Sequence, residues 1–358
     1  MKRVLLRIFQ GFGLVFLLLV LALLLWPEAI YEPHQPSDEY LKRSAAYIVP
    51  DLPPDWKYHM HEAEDGTQIR WGETGNRAGG RATVVFIPGY TSTLDIHGDH
   101  IYGLASRGYH VVGIDLRGQG GSERHRESHP EKLWAENFGV YSDDVAEIIA
   151  AQNFGEDRPL ILVGSSFGGH AALRAAADHD VPIAGMVLLA PAYAPNTAPY
   201  TLSQTKRLGK IALSIGRSEE YAPGQGDWRP DSQDLTLPSD CASYPPRLYM
   251  RDAIFVRHPE QRVGGVTNQW VYGMITSGEY LLEDTVEAKI DMPITMVAAE
   301  RDVIIDSKVS EDACTEGLPN CTLKIYPDTG HCLTLENDDV LTKIYDDVDE
   351  MFEAITAE

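Results

Sequence analysis

LILVGSSFGGHAAL, residues 160–173, joins a short run of branched apolar residues to a segment rich in alanine. The apolar run is typical of a buried strand, and the segment that begins near Phe167 favours a helix. Between them, Gly164-x-Ser166-x-Gly168 fits a sharp strand-to-helix turn whose glycines let the two backbones approach closely. Such a turn exposes the hydroxyl of Ser166 and sets the N–H of Phe167 beside it. A plain turn rich in glycine and serine is the alternative interpretation until partners for Ser166 are found.

The chain on both sides of this turn alternates between strand and helix patterns. A hairpin is predicted between residues 56 and 72, where Asp65-Gly66 supplies the turn. Strands that alternate with helices indicate a mostly parallel sheet covered on both faces, so the predicted class is an open α/β fold. The other predicted strands are 83–87, 109–115, 183–189, 294–299 and 322–326, and the predicted helices are 95–107, 141–153, 306–313 and 336–355.

The alternation lapses between residues 195 and 283, in a segment rich in proline, glycine, tyrosine and tryptophan. Helical pieces are predicted there at residues 203–215 and 266–275. We interpret the whole segment as a lid inserted over the strand ends. The lid divides the predicted core into a first part, residues 55–194, and a second part, residues 284–358.

The N-terminus differs in composition from the rest of the chain. Three basic residues precede an almost unbroken apolar run from Ile8 to Trp26, which as a helix is long enough to cross a bilayer. Basic residues before the run and acidic residues after it predict a single-pass anchor with the folded domain on the extracytoplasmic (periplasmic) side. The anchor covers residues 1–27, and a tether covers residues 28–54. A cleaved signal peptide is the alternative, and it leads to the same compartment.

Charge and cysteine content limit the possible partners. The formal net charge of −23 argues against nucleic acid, because proteins that bind it carry basic patches and this chain has none. Four cysteines suit an oxidising compartment, and the short loop between Cys314 and Cys321 favours a disulfide between these two. Cys241 and Cys332 could form a second, although the sequence leaves the pairing open. No metal site or cofactor is predicted, since the chain has neither a CxxC pair nor an HExxH motif.

The hydroxyl of Ser166 needs two partners to act as a nucleophile. A neighbouring imidazole must remove its proton, and a carboxylate must orient that imidazole. Asp302 follows the strand at 294–299 and His331 follows the strand at 322–326. Both are therefore expected at the carboxyl edge of the sheet, where ligand sites gather in open α/β folds.

Other residues of the same types compete for these roles. His331 is preferred because it follows Ser166 and Asp302 along the chain, which is the order found in this class of fold. Asp306 is better explained as a helix N-cap and Asp328 as a turn residue. The competing histidines are His97, His100, His110 and His170.

The reaction also requires an oxyanion hole made of two aimed donors. The N–H of Phe167 is one candidate, because the turn after Ser166 directs it to the same side. The second candidate is the N–H of Tyr90, in the Pro88-Gly89-Tyr90 loop that follows the strand at 83–87.

This arrangement resembles the α/β-hydrolase superfamily. More narrowly, it is similar to the serine lipases that join monoacylglycerol lipases with bacterial lysophospholipases, a group often labelled serine aminopeptidase. The resemblance runs from about Trp56 to Phe352 and includes the lid segment 264–270. The glycine-rich run 115–122 also matches, and in that family it is a structural loop rather than a phosphate site.

The chain departs from the monoacylglycerol lipase pattern at two positions. Pro88 replaces the histidine that usually precedes the oxyanion glycine, and Ser165 stands where many members have histidine or methionine. Both differences concern the choice of substrate and leave Ser166, Asp302 and His331 unchanged.

The predicted function is hydrolysis of carboxylic esters of single-chain acyl lipids, through an acyl-enzyme on Ser166. His331 acts as the base, Asp302 orients it, and the expected partners are an acyl-lipid substrate and the membrane. A peptidase or an acyltransferase with the same triad is an alternative, because the lid sets specificity. A non-catalytic binding module is the third hypothesis.

Overall fold

The computed structural model describes residues 30–45, 49–229 and 241–357. The predicted anchor, residues 1–27, lies outside these ranges. Among the described residues, no helix combines the length and the apolar character needed to span a membrane.

In the described ranges, eight strands form one sheet in the order β1-β2-β4-β3-β5-β6-β7-β8. β1 pairs antiparallel with β2, and β2 pairs antiparallel with β4. All the following pairs, from β4–β3 to β7–β8, are parallel, so the predicted mostly parallel open sheet is confirmed. The strands are β1 Lys57–Glu62, β2 Gln68–Thr74, β3 Thr83–Ile87, β4 His110–Ile114, β5 Leu160–Ser165, β6 Ile183–Leu189, β7 Ile294–Ala299 and β8 Cys321–Tyr326.

Helices cover both faces of this sheet. Successive side chains of a strand point to opposite faces, so Val85 and Ile87 of β3 enter one core while Val84 and Phe86 enter the other. The first core includes α3 and α4, and the second includes α2 and α10. The helices are α1 Asp38–Ala45, α2 Gly98–Ser106, α3 Gly139–Ala151, α4 Phe167–Asp178, α5 Leu202–Ser214, α6 Pro245–Arg257, α7 Asn268–Leu281, α8 Asp284–Glu287, α9 Ser307–Asp312 and α10 Asp338–Thr356.

Helices α5, α6 and α7 lie between β6 and β7 in the chain, in the segment interpreted as a lid. Two of them begin with side-chain caps, since Thr201 accepts from the N–H of Gln204 and Thr267 accepts from the N–H of Trp270. The sequence analysis did not predict α6. Its signal was the proline at the start of Pro245–Arg257, a residue favoured in the first helical turn.

The described part of the predicted tether packs against other parts of the chain. Tyr31 donates a hydrogen bond of 2.8 Å to Glu131, and Arg262 donates one of 3.0 Å to the carbonyl oxygen of His34. Tyr40 of α1 is buried next to Tyr249 of α6. These contacts hold residues 30–45 against the lid side of the molecule.

Two disulfides are present, Cys314–Cys321 and Cys241–Cys332. The first is the predicted bridge. The second is the pairing that the sequence left open, and it joins the lid segment to the loop after β8. That loop carries His331, so the bridge bears directly on the site described next.

Candidate active site

Ser166 occupies the sharp turn between β5 and α4. Its backbone has φ 51° and ψ −115°, a strained conformation for a residue other than glycine, and such strain is typical of functional sites. Its N–H donates a hydrogen bond of 2.8 Å to the carbonyl oxygen of Leu189. A Cβ at Gly168 would lie 2.0 Å from the carbonyl oxygen of Ile87, so the tight approach of helix and strand requires glycine there.

Ser166, His331 and Asp302 are linked by hydrogen bonds. Nε2 of His331 lies 2.6 Å from Oγ of Ser166, and Nδ1 of His331 lies 2.6 Å from Oδ2 of Asp302. A carboxylate can only accept, so Nδ1 donates to Asp302 and Nε2 is left to accept the proton of the serine hydroxyl. The structure thus brings together three predicted residues that are separated by up to 165 positions.

The carboxylate of Asp302 is held by further donors. Its side chain is completely buried, and its Oδ1 accepts from the N–H groups of Ile304 and Ile305 at 2.9 and 3.1 Å. Buried acceptors of this kind must be paired to be stable. The two backbone bonds therefore fix which oxygen faces His331.

A buried glutamate that the sequence analysis missed holds the loop of His331. Glu336 accepts from the N–H of Gly330 at 2.8 Å and from the N–H and hydroxyl of Ser243 at 2.8 and 2.5 Å. The N–H of Cys332 also donates to the carbonyl oxygen of Cys241, at 2.5 Å. No local pattern marks Glu336 in the sequence, because its partners come from the lid and from the preceding loop.

The N–H groups of Tyr90 and Phe167 are free to act as donors. Neither donates a hydrogen bond to any of the described residues. Gly89, next to Tyr90, approaches the nucleophile so closely that a Cβ there would lie 3.8 Å from Oγ of Ser166. Both N–H groups therefore belong to segments that adjoin Ser166, as an oxyanion hole requires.

Gln119, a second residue that the sequence analysis missed, is hydrogen-bonded to the oxyanion loop on both sides of Tyr90. Its Oε1 accepts from the N–H of Thr91 at 2.8 Å, and its Nε2 donates to the carbonyl oxygen of Gly89 at 3.2 Å. The side chain is fully buried. Gln119 lies in the glycine-rich run 115–122, so this run contributes a contact that orients the loop of Tyr90.

The lid also contacts the oxyanion loop. The hydroxyl of Tyr90 donates a 2.6 Å hydrogen bond to the carbonyl oxygen of Gly264, and its ring lies 5.5 Å from that of Trp270. Burial raises the pKa of the Tyr90 hydroxyl, which keeps it a neutral donor. The segment 264–270, noted for its resemblance, thus packs on the loop that would bind the oxyanion.

The competing histidines are engaged elsewhere in the described structure. His110 contacts Thr83 and Glu73, and His170 bonds to the carbonyl oxygen of Ala192. His100 is buried in α2, and His97 is buried just before this helix. Burial lowers the pKa of each imidazole to about 3. A ring held neutral in the core contributes packing rather than proton transfer to Ser166.

Neither competing carboxylate is hydrogen-bonded to His331, whose Nδ1 faces Asp302. Asp306 is the residue that precedes α9, in the N-cap position. Asp328 has φ 59° and pairs with Arg301. Asp306 thus has the expected N-cap position, although its side chain makes no cap hydrogen bond, and Asp328 lies in a turn as expected.

Comparisons with known proteins identify the family. The chain matches the family model described as serine aminopeptidase, S33, over residues 79–338. Among curated proteins it is similar to the probable lysophospholipase L2 of Haemophilus influenzae, with 25% identity over 268 residues, covering 73% of this chain and 80% of that protein. It is also similar to lysophospholipase L2 of Escherichia coli K12, with 26% identity over 243 residues, covering 64% of this chain and 66% of that protein.

Solved structures show the same fold. A soluble variant of monoglyceride lipase from Saccharomyces cerevisiae, in complex with a substrate analog, aligns with a TM-score of 0.66 at 18% identity. The alignment covers 87% of this chain and 98% of that one. Because the match to the family model extends over more than half of the 358 residues, the chain belongs to the serine aminopeptidase S33 family of α/β-hydrolases.

Proposed function

We propose that this protein is a serine hydrolase that cleaves the carboxylic ester of single-chain acyl lipids. The observation that carries the proposal is the hydrogen-bonded series Ser166–His331–Asp302, with Ser166 on a strained turn at the start of a helix. Relatives named lysophospholipase and a structural neighbour named monoglyceride lipase support an ester substrate.

In the proposed mechanism, Oγ of Ser166 attacks the acyl carbonyl carbon while Nε2 of His331 accepts the hydroxyl proton. Asp302 stabilises the imidazolium that forms. The N–H groups of Tyr90 and Phe167 bind the oxyanion, and one such donor contributes about 10²- to 10³-fold to kcat. His331 then returns the proton to the leaving alcohol. Water, deprotonated by His331, hydrolyses the acyl-enzyme.

We further propose that residues 8–26 anchor the domain to a membrane, with the catalytic part on the extracytoplasmic side. The apolar run itself and the two disulfides support this location. Deletion of residues 1–27 should move the protein from the membrane fraction to the soluble fraction. If the protein expressed from the whole sequence is recovered only in the soluble fraction and lacks its N-terminal residues, the apolar run is a cleaved signal instead.

The lid offers a route for a lipid to reach the site. Leu208 and Ile211 of α5 are 46% and 57% exposed, one turn apart on the same face, and Arg207 and Lys210 beside them are exposed as well. An amphipathic helix with basic residues suits contact with a lipid surface. This supports an acyl-lipid substrate over a small soluble ester.

The direct test replaces Ser166 by alanine in the full chain. Turnover of p-nitrophenyl butyrate and labelling by a fluorophosphonate probe should both be lost, while the melting temperature stays near that of the unchanged protein. Ser165→Ala is the matched control, because it removes the neighbouring hydroxyl, and it should keep both properties. Turnover by Ser166→Ala above the background of the assay would refute the role of Ser166.

A peptidase with the same residues is the second candidate, and the description of the matched family as serine aminopeptidase favours it. Lysophospholipids, monoacylglycerols and peptides with N-terminal proline should be compared in one assay series. Faster cleavage of the peptides than of either lipid class would replace the ester hydrolase proposal by this one.

A further inference from the structure

A cavity of about 260 Å³ lies beside the oxyanion loop. Tyr90 and Thr91 line it from the loop, and residues 263–265 line it next to them. Its other wall comes from the lid segment 224–229 and from α6, which contributes Arg251, Asp252 and Phe255.

The cavity is adjacent to the proposed nucleophile. Tyr90 lines the cavity, while Gly89, its neighbour in the chain, lies against Ser166. The cavity therefore borders the oxyanion loop, against which the carbonyl group of an ester bound at Ser166 would lie.

Two charged side chains at the cavity form an ion pair with each other, and each keeps one buried atom without a hydrogen-bond partner among the described residues. Nε of Arg251 is buried, and its carboxylate neighbour, Oδ1 of Asp252, is 3.5 Å away, without the geometry of a hydrogen bond. Asp252 is 2% exposed, and its Oδ2 has no donor. A buried polar atom without a hydrogen bond is destabilising, so a ligand that supplies an acceptor for Nε of Arg251 and a donor for Oδ2 of Asp252 would be favoured.

The charges that line the cavity are balanced. Arg229 and Arg251 are cationic, and Asp227 and Asp252 are anionic. A simple anion would meet repulsion from the two carboxylates, and a neutral glycerol group would bring no charge to the unpaired atoms of Arg251 and Asp252. A zwitterion supplies both signs of charge, and the ring of Phe255 suits an ammonium group. The ring of Trp228 already carries the guanidinium of Arg262, 4.4 Å from its centre.

We propose that this cavity is a headgroup site for zwitterionic lysophospholipids, in which Arg251 binds the phosphodiester and Asp252, with Asp227, faces the ammonium group. The site rests on the proposed ester hydrolase function and adds to it the class of substrate. Arginine suits phosphate binding because its planar guanidinium group can donate two parallel hydrogen bonds to the phosphate oxygens.

The test compares the full chain with its Arg251→Met variant on three substrates: palmitoyl lysophosphatidylcholine, monopalmitoylglycerol and p-nitrophenyl butyrate. Loss of a charged hydrogen bond predicts a fall of about 10- to 100-fold in kcat/KM for the lysophospholipid, mainly through KM. The two uncharged substrates should change by less than about twofold. Arg251→Lys should recover part of the loss, since it restores the charge without the fork.

Arg257→Met is the matched control, because Arg257 lies on the same helix and does not line the cavity. It should leave all three substrates unchanged. If Arg251→Met lowers kcat/KM equally for all three substrates, Arg251 has only a structural role. If kcat/KM for the lysophospholipid is unchanged, Arg251 does not bind the headgroup. Either result overturns the proposal.

Binding of glycerophosphocholine, measured by calorimetry, tests the site without turnover. The unchanged protein should bind it, and Arg251→Met should bind at least about 10-fold more weakly. Inorganic phosphate should bind more weakly than glycerophosphocholine, and equal binding would indicate a simple anion site and contradict the zwitterion. If the protein binds glycerophosphocholine through Arg251 but hydrolyses none of the esters, the proposed function fails while the headgroup site stands.

Discussion

Replacement of Asp302 by asparagine tests how the buried carboxylate controls His331. Oδ1 of Asp302 accepts from two backbone N–H groups, those of Ile304 and Ile305, whereas Oδ2 accepts from one, Nδ1 of His331. Asparagine has one oxygen and one NH₂ group, so it cannot accept on both sides. Its oxygen should face the two backbone donors, because the reverse orientation sets the NH₂ group against both of them.

In the Asp302→Asn variant, the side-chain NH₂ group then points at Nδ1 of His331, which must become an acceptor. The proton of the neutral ring moves to Nε2, and Nε2 can no longer accept the proton of Ser166. Loss of the correct tautomer in a triad of this kind lowers kcat by about 10⁴-fold, equivalent to about 5.5 kcal/mol of transition-state stabilisation. Binding of substrate should change little, since Asp302 has no exposed side-chain surface.

The assay is steady-state hydrolysis of p-nitrophenyl butyrate near neutral pH, with a melting curve to confirm folding. Asp306→Asn is the matched control, because Asp306 follows the same strand but makes no side-chain cap bond to α9. It should keep activity within about twofold, as surface substitutions usually do. An Asp302→Asn enzyme that folds and keeps more than about a tenth of kcat would refute this account of the tautomer.

Three further predictions concern residues around the site. Gln119→Met should lower kcat about 10-fold or more with little change in KM, because the loop of Tyr90 loses both hydrogen bonds that orient it. A rise in KM as large as the fall in kcat would indicate a general loss of structure and contradict the prediction. His100 is held neutral with a pKa of about 3, so the unfolded chain binds more protons below about pH 6.5 and the free energy of unfolding falls as the pH falls. His100→Leu should remove about 2 kcal/mol of that fall between about pH 7 and pH 5 in denaturant titrations, and an unchanged pH slope would contradict it. Replacement of Cys241 and Cys332 by serine should lower the free energy of unfolding by about 4 kcal/mol, since the bridge closes a separation of 91 residues. It should also reduce kcat, because the loop of His331 loses this attachment. If the melting temperature and kcat both stay unchanged, the prediction is wrong.

Much of the fold could be predicted because its signals are local. The strands Thr83–Ile87, Ile183–Leu189 and Ile294–Ala299 have the predicted bounds, since each is a short run of apolar, almost entirely buried residues between turn signals. The helix Pro245–Arg257 was missed because its apolar positions are interrupted by charged residues, two of which line the cavity. The membrane anchor stays a prediction.

The amino-acid sequence by itself determined the order of strands and helices, the turn at Ser166 and the expectation that Asp302 and His331 follow strands at one edge of the sheet. These features depend on neighbours within a few residues, and parallel strands place their carboxyl ends together. Only the tertiary structure decided which nitrogen of His331 faces Ser166, that Gln119 and Glu336 orient the loops of the site, and that Arg251 borders a cavity next to Tyr90. The physical reason is that each of these contacts joins side chains to distant loops, and its geometry depends on how the packed lid and sheet bring those loops together.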